Sequence, residues 1–354
     1  MPKYNSLQMH HFMAQLLHPT ALVDASYFPA PQIFWDRLVQ LGSNQLVLTA
    51  IYGALKRKKL IDHAPKDLVS YLQEITDLNY KRNSAILRQI TFLSELFNKH
   101  KIDYVFLKGA AILITKPYDT MNERMVGDID ILVSQKALLR AQQLLLNEGF
   151  SSVSNKFSFT KGIFPENSHK HLKRITHPNH IAAVEIHRRL LIKENHLIAP
   201  NNVIENKVQS KHGQWIPSKQ HLWQHAILNW QYNDSGMARN ALAFRSILDV
   251  LYLEPEDVMV ELKMSSNASK HFYSLLSLYC GNYKTYYPKR KLVYKWKLQS
   301  KFFYKLHGFF RKLFSLVALV FNRTKLFFKS RTYRKRVLNH PKLLGQRILN
   351  FWNK

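Results

Sequence analysis

Apolar and polar positions along the chain follow two periods. From Asp67 to Lys99, the residues Leu68, Leu72, Ile75, Leu78, Ile86, Ile90, Leu93 and Leu96-Phe97 recur at the spacing of one helical face. Pro65 stands just ahead, where a helix tolerates proline because its first N–H groups have no intrahelical partner. Ile33-Phe34-Trp35, Leu38 and Leu41 show the same spacing and Gln45–Leu55 continues it, so residues 1–100 are expected to form a helical cap. Ile102–Leu107 is an unbroken apolar run and reads as a strand. Asp128-Ile129-Asp130-Ile131-Leu132-Val133 reads as a second strand and Ile181–His187 as a third. Lys136–Gly149 is an amphipathic helix closed by Gly149, and Gln220–Leu253 is again helical. Residues 151–180 are polar, with Gly162, Pro165 and Pro178, and suggest strands joined by long loops. The expected fold is therefore mixed α/β (α+β). The expected division is a helical cap at 1–100, a sheet-bearing core at 101–200, a helical substrate-side region at 201–280 and a tail at 281–354.

Candidate chemistry gathers at Leu107–Val133. Side chains alternate along a strand, so Asp128 and Asp130 share a face while Ile129, Ile131 and Val133 enter a core. Neighbouring carboxylates repel, and a divalent cation between them is the usual remedy. Mg²⁺ takes one or two protein carboxylates together with substrate phosphates. Lys108-Gly109 begins the turn from the first strand into a short helix, Ala110–Thr115, whose free N–H groups suit a phosphate. Arg124, four residues before Asp128, is a further phosphate candidate. Glu185 lies among apolar neighbours in the third strand, which is costly unless it is paired or metal-bound. His187 shares its face and suits orienting a phosphate or a carboxylate. Six histidines fall between His169 and His196, but their irregular spacing and the absence of nearby cysteine do not make a zinc motif. Arg245 and Asp249, four apart on a helix, are expected to pair with each other.

Lys108-Gly109, Arg124, Asp128-Ile129-Asp130 and Val184-Glu185-Ile186-His187 together resemble the nucleotidyltransferases of the DNA polymerase β superfamily. The branch most resembled is the bacterial one of uncharacterised nucleotidyltransferases, over about Phe34–Tyr279. The resemblance implies a polymerase β-like core that transfers a nucleoside monophosphate from an NTP, with Mg²⁺ or Mn²⁺, to an acceptor that the sequence does not name. It implies Asp128, Asp130 and Glu185 as catalytic metal ligands, with Lys108, Gly109 and Arg124 toward the NTP phosphates, and it gives Arg245 and Asp249 a second reading, as residues lining the substrate pocket. The chain departs from the commoner Gly-Ser turn by carrying Gly109-Ala110, and Asp128 follows Gly109 by 19 residues. A rival reading is a non-catalytic nucleotidyltransferase-like protein tethered to membrane or RNA through its tail.

Charge sharpens that contrast. The net charge is +29, and residues 281–354 hold 20 Lys/Arg with no Asp or Glu. Phe302, Leu306, Phe309, Leu313, Leu316 and Val320 follow one another at spacings of 4, 3, 4, 3 and 4 among these basic residues. Such a helix suits an anionic membrane surface, with docking on the chain's own core as the plainer alternative and RNA a lesser one. The single cysteine, Cys280, fits a reducing compartment. With no signal-like start and no long apolar run, a cytoplasmic protein is expected, peripheral at the membrane if the tail binds there.

Overall fold

The computed structural model describes residues 5–152, 169–192, 198–254, 266–281, 283–343 and 345–346. The loops expected across 153–168 and His196 lie outside the described residues. The chain divides into two compact units, the first holding Met1–Val153 and Lys170–Lys295, the second taking the chain from Trp296 onward. Within the first unit, a mixed sheet runs in the order β1 (Tyr104–Leu107), β2 (Asp128–Val133), β5 (Ala183–His187), β4 (Ile175–Thr176), β3 (Ser151–Ser152). β2 and β5 are parallel, and the other neighbouring pairs are antiparallel. The fold is thus mixed α/β, as the two hydrophobic periods indicate.

Helices α1 (Ser6–Leu17), α2 (Gln32–Asn44), α3 (Leu48–Arg57) and α4 (Lys66–Lys99) precede the sheet. α5 (Lys108–Thr115) joins β1 to β2, and α6 (Leu138–Asn147) lies on the crossover from β2 toward β5. Gly149 closes α6 with φ of 88°, the left-handed value expected of a glycine after a helix. α7 (Pro200–Glu205), a two-stranded ribbon of β6 (Val208–Gln209) and β7 (Trp215–Ile216), and α8 (Lys219–Leu228) follow. The stretch expected to be helical over Gln220–Leu253 is so, in separate pieces. After α8 come a π-turn at Asn229–Asn233, a short α9 (Gly236–Arg239) and α10 (Phe244–Leu253). Trp230 donates to Ala241 O at 2.9 Å, and a Cβ on Gly236 would lie 2.3 Å from the same indole nitrogen. The indole therefore packs directly against the backbone of Gly236, where no side chain would fit. α11 (Asn267–Leu276) follows, and α12 (Pro288–Gln299) runs across the boundary at which the second unit begins.

The buried face of α4 is not purely apolar. Asn79, Asn83 and Gln89 lie on it beside Leu72, Ile86 and Ile90. Their amides reach backbone groups of the loops that lead into the two central strands. Asn83 donates to the carbonyls of Met121 and Arg124, both at 2.8 Å, and Asn79 to that of Asn122 at 2.7 Å. Arg82 adds bonds to Val126 O and Gly127 O, the last residues before β2. Gln89 both donates to and accepts from Ala182, just before β5. Buried backbone groups in loops must find partners, and here one helix supplies them for the loops leading into β2 and β5 alike.

Candidate active site

Strand register places the acids. Asp130 stands level with Glu185 on the neighbouring parallel strand and with Leu107 on the other side. Asp128 is level with Ala183 and Leu132 with His187, so the polar residues of both strands point to one face. Asp130 is buried, at 2% exposure, and its Oδ1 accepts from Lys108 Nζ at 2.6 Å and from His187 Nε2 at 2.7 Å. Burial would raise its pKa, but these two donors override it and hold the carboxyl well below the usual carboxylate range. Burial would likewise depress His187, whose pKa is raised instead by its bonds to Asp130 and Glu185. Its Nδ1 faces Arg189 O at 3.3 Å, so both ring nitrogens look at oxygen acceptors, as an imidazolium requires.

Glu185 lies 3.6 Å from His187 Nε2, 3.7 Å from His171 Nε2 and 3.4 Å from Arg174 Nε. The His187 contact leads in keeping Glu185 ionised below its ordinary pKa. Asp128 is more open, and Arg174 Nη2 meets it at 2.6 Å, so one guanidinium joins Asp128 and Glu185. Asp130, Glu185 and His187 offer ligand atoms that all lie within 4.8 Å of one another. Asp128 stands beside that group rather than in it.

Two of the phosphate candidates have other attachments. Lys108 has φ of 49°, a left-handed value that is rare for a residue with a side chain, and its ammonium is turned onto Asp130. The neighbouring Gly109 is explained by packing, since a Cβ there would lie 2.9 Å from Val126 Cγ1. Arg124 is committed to Asp249 through paired bonds of 2.7 Å, Nε to Oδ1 and Nη2 to Oδ2. Tyr118 donates to the same Oδ1 at 2.7 Å. The expected Arg245–Asp249 pair is absent among the described residues, because Arg124 and Tyr118 take that carboxylate. Arg124→Ala is therefore expected to cost about 3–5 kcal/mol of stability by leaving Asp249 buried without its cation. Urea unfolding of the two proteins checks it.

Three further cations stand near the acids, and of these Arg174 and Lys170 escaped sequence reasoning. Arg174 sits in a polar stretch and carries no pattern that marks it. Lys170 lies where its backbone carbonyl accepts from Arg188 N and Arg189 N, at the end of β5. Its pKa is lowered by burial and then by Lys108, with Asp130 and Glu185 acting in the opposite sense. Arg245 is depressed by burial and by Arg124, and Asp128 and Asp249 oppose this. Among the described residues, neither Lys170 nor Arg245 has an ion-pair partner.

Carboxylates from adjacent strands, flanked by an excess of cations, form the kind of donor set that metal-assisted group transfer on phosphates uses. The model of the family described as uncharacterised nucleotidyltransferase matches residues 31–257, more than half of the chain, and the chain belongs to that family. No curated protein matches it.

Proposed function

We propose that this protein is a metal-dependent enzyme transferring a nucleoside monophosphate from an NTP to an acceptor hydroxyl or phosphate. The observation that carries the proposal is the level pairing of Asp130 with Glu185 on neighbouring parallel strands, with cations gathered around them. The donor set fits a divalent ion. Carboxylate oxygens suit Mg²⁺, and a nearby imidazole also admits Mn²⁺. Asp130, Glu185 and Asp128 would hold the metal, which when bound would neutralise charge on the phosphates.

The chain's own groups then divide the remaining work. Lys170 and Arg245, which have no carboxylate partner among the described residues, are assigned to the NTP phosphates, with Lys108 and Gly109 at the turn beside them. Arg124 acts from behind by fixing Asp249 and Tyr118. His187 holds Asp130 in place. Glu185, kept ionised, accepts the proton of the acceptor. We place this activity in a reducing, cytoplasmic compartment on the evidence of the single cysteine.

Mg²⁺ or Mn²⁺ together with an NTP should raise the melting temperature, and labelled NTP incubated with cell extract should yield a labelled product that identifies the acceptor. Stabilisation without turnover would favour the non-catalytic reading instead. Lys170→Ala and Arg245→Ala are each expected to raise the KM for NTP about 10- to 100-fold, the worth of one charge-assisted hydrogen bond. Steady-state kinetics on the folded variants decides this, and an unchanged KM in both removes the phosphate assignment.

A further inference from the structure

The second unit carries α13 (Lys301–Lys329), 29 residues of which none is buried. Ser300 caps its start, accepting from Phe303 N. At 3.6 residues per turn, Phe302, Phe310, Phe314, Val317, Phe321 and Phe328 fall within an arc of about 120°. They face solvent, with Phe314 exposed by 71% and Phe328 by 73%. Lys305, Arg311, Lys312, Arg323 and Lys329 lie outside that arc. α14 (Arg331–Asn339) folds back beside Arg323, whose guanidinium is 5.9 Å from the ring centre of the buried Tyr333. No described residue covers the phenylalanine arc. α14 adds Arg331, Arg334, Lys335 and Arg336, so the hairpin is basic throughout.

An apolar arc this long, open to water, calls for a partner. No described helix is long and apolar enough to cross a bilayer. A helix with phenylalanine on one side and lysine and arginine on the other instead lies in the interfacial plane. We propose that α13 binds flat on an anionic bilayer surface, its phenylalanine arc in the acyl-chain boundary and its basic residues among the headgroups. Charge complementarity selects this occupant over a second copy of the chain, whose hairpin would bring like charges together. RNA would neutralise the same charges but would leave the arc in water. The inference is independent of the chemistry at Asp130.

Vesicle flotation of the full chain tests it, using phosphatidylcholine with and without phosphatidylglycerol. Wild type should float with the anionic vesicles and bind neutral ones at least tenfold more weakly. Combined Phe310→Ser, Phe314→Ser and Phe321→Ser should weaken anionic binding by tenfold or more while leaving the circular dichroism and melting temperature unchanged. The residual binding of that variant should disappear in high salt, because the Debye length shrinks from about 10 Å at 0.1 M to about 3 Å at 1 M. Failure of wild type to bind anionic vesicles at low salt would overturn the proposal, as would undiminished binding by the serine variant. Self-association that the serine substitutions abolish, without vesicle binding, would overturn it too and assign the arc to a second copy.

Discussion

Asp130→Asn is expected to lower NTP turnover by on the order of a thousandfold, the scale seen when a group that stabilises transition-state charge is removed. The carboxylate accepts from both Lys108 and His187 and is almost fully buried, so asparagine removes the charge that both donors serve and leaves Lys108 without its carboxylate. Stability should fall at the same time, by about 3–5 kcal/mol, as for a buried pair that loses one partner. Turnover must therefore be measured on the folded fraction, with urea unfolding beside it. The Asp128→Asn variant provides the contrast. Asp128 pairs with Arg174 in a partly exposed setting, where such pairs contribute about 0–1 kcal/mol. That variant should keep near-wild-type stability while losing activity. If folded Asp130→Asn turns over NTP as fast as wild type, the acid is structural and the active-site assignment fails.

Glu185→Gln should separate binding from chemistry. Glu185 is less buried than Asp130, and its contacts with His171, His187 and Arg174 are long, between 3.4 and 3.7 Å. Stability should therefore change little. Loss of an ionised proton acceptor should cut kcat by about 100-fold or more, within the range of general base catalysis. NTP affinity should stay close to wild type, because the phosphates are assigned to Lys170 and Arg245. Calorimetric titration with NTP, alongside kcat, checks both halves. A parallel loss of affinity would place Glu185 with the nucleotide rather than with the acceptor.

Legibility of the site varies with the range of the interaction involved. The placing of Asp128 and Asp130 on one strand face follows from period-two alternation alone. Their difference does not, because burial and partners come from β5 and from the start of α5. Glu185 shows itself by its awkward position in an apolar run, and His187 by its place two residues on. Lys170 has no local signature of this role, since a lysine without a carboxylate partner looks like any other in a sequence, and Arg245 is marked only by the family resemblance, as one of a pair that could line the substrate pocket. Helical spacing offers Asp249 to Arg245. Arg124 wins that carboxylate by approaching in a paired geometry from a segment 125 positions away. The polar residues on α4 are hidden in the same way. Leu78 fits the apolar period of that helix but is 55% exposed, while Asn79 beside it is buried against the loop before β2.

The sequence by itself determined what repeats along one element: the helical period of α4, the alternation of β2, the glycine stop after α6 and the basic, phenylalanine-rich helix α13, whose most exposed arc shares only Phe302 with the stripe read from spacing. These depend on backbone geometry, which is the same wherever an element sits. Tertiary structure alone decided the strand register that sets Asp130 beside Glu185. It also decided the break after α8, the transfer of Asp249 to Arg124, and the bracing of both site loops by Asn79, Asn83 and Gln89. Each of these is a choice among partners far apart in the chain. It is made by burial, where a polar group must find a bond and a charge must find its opposite.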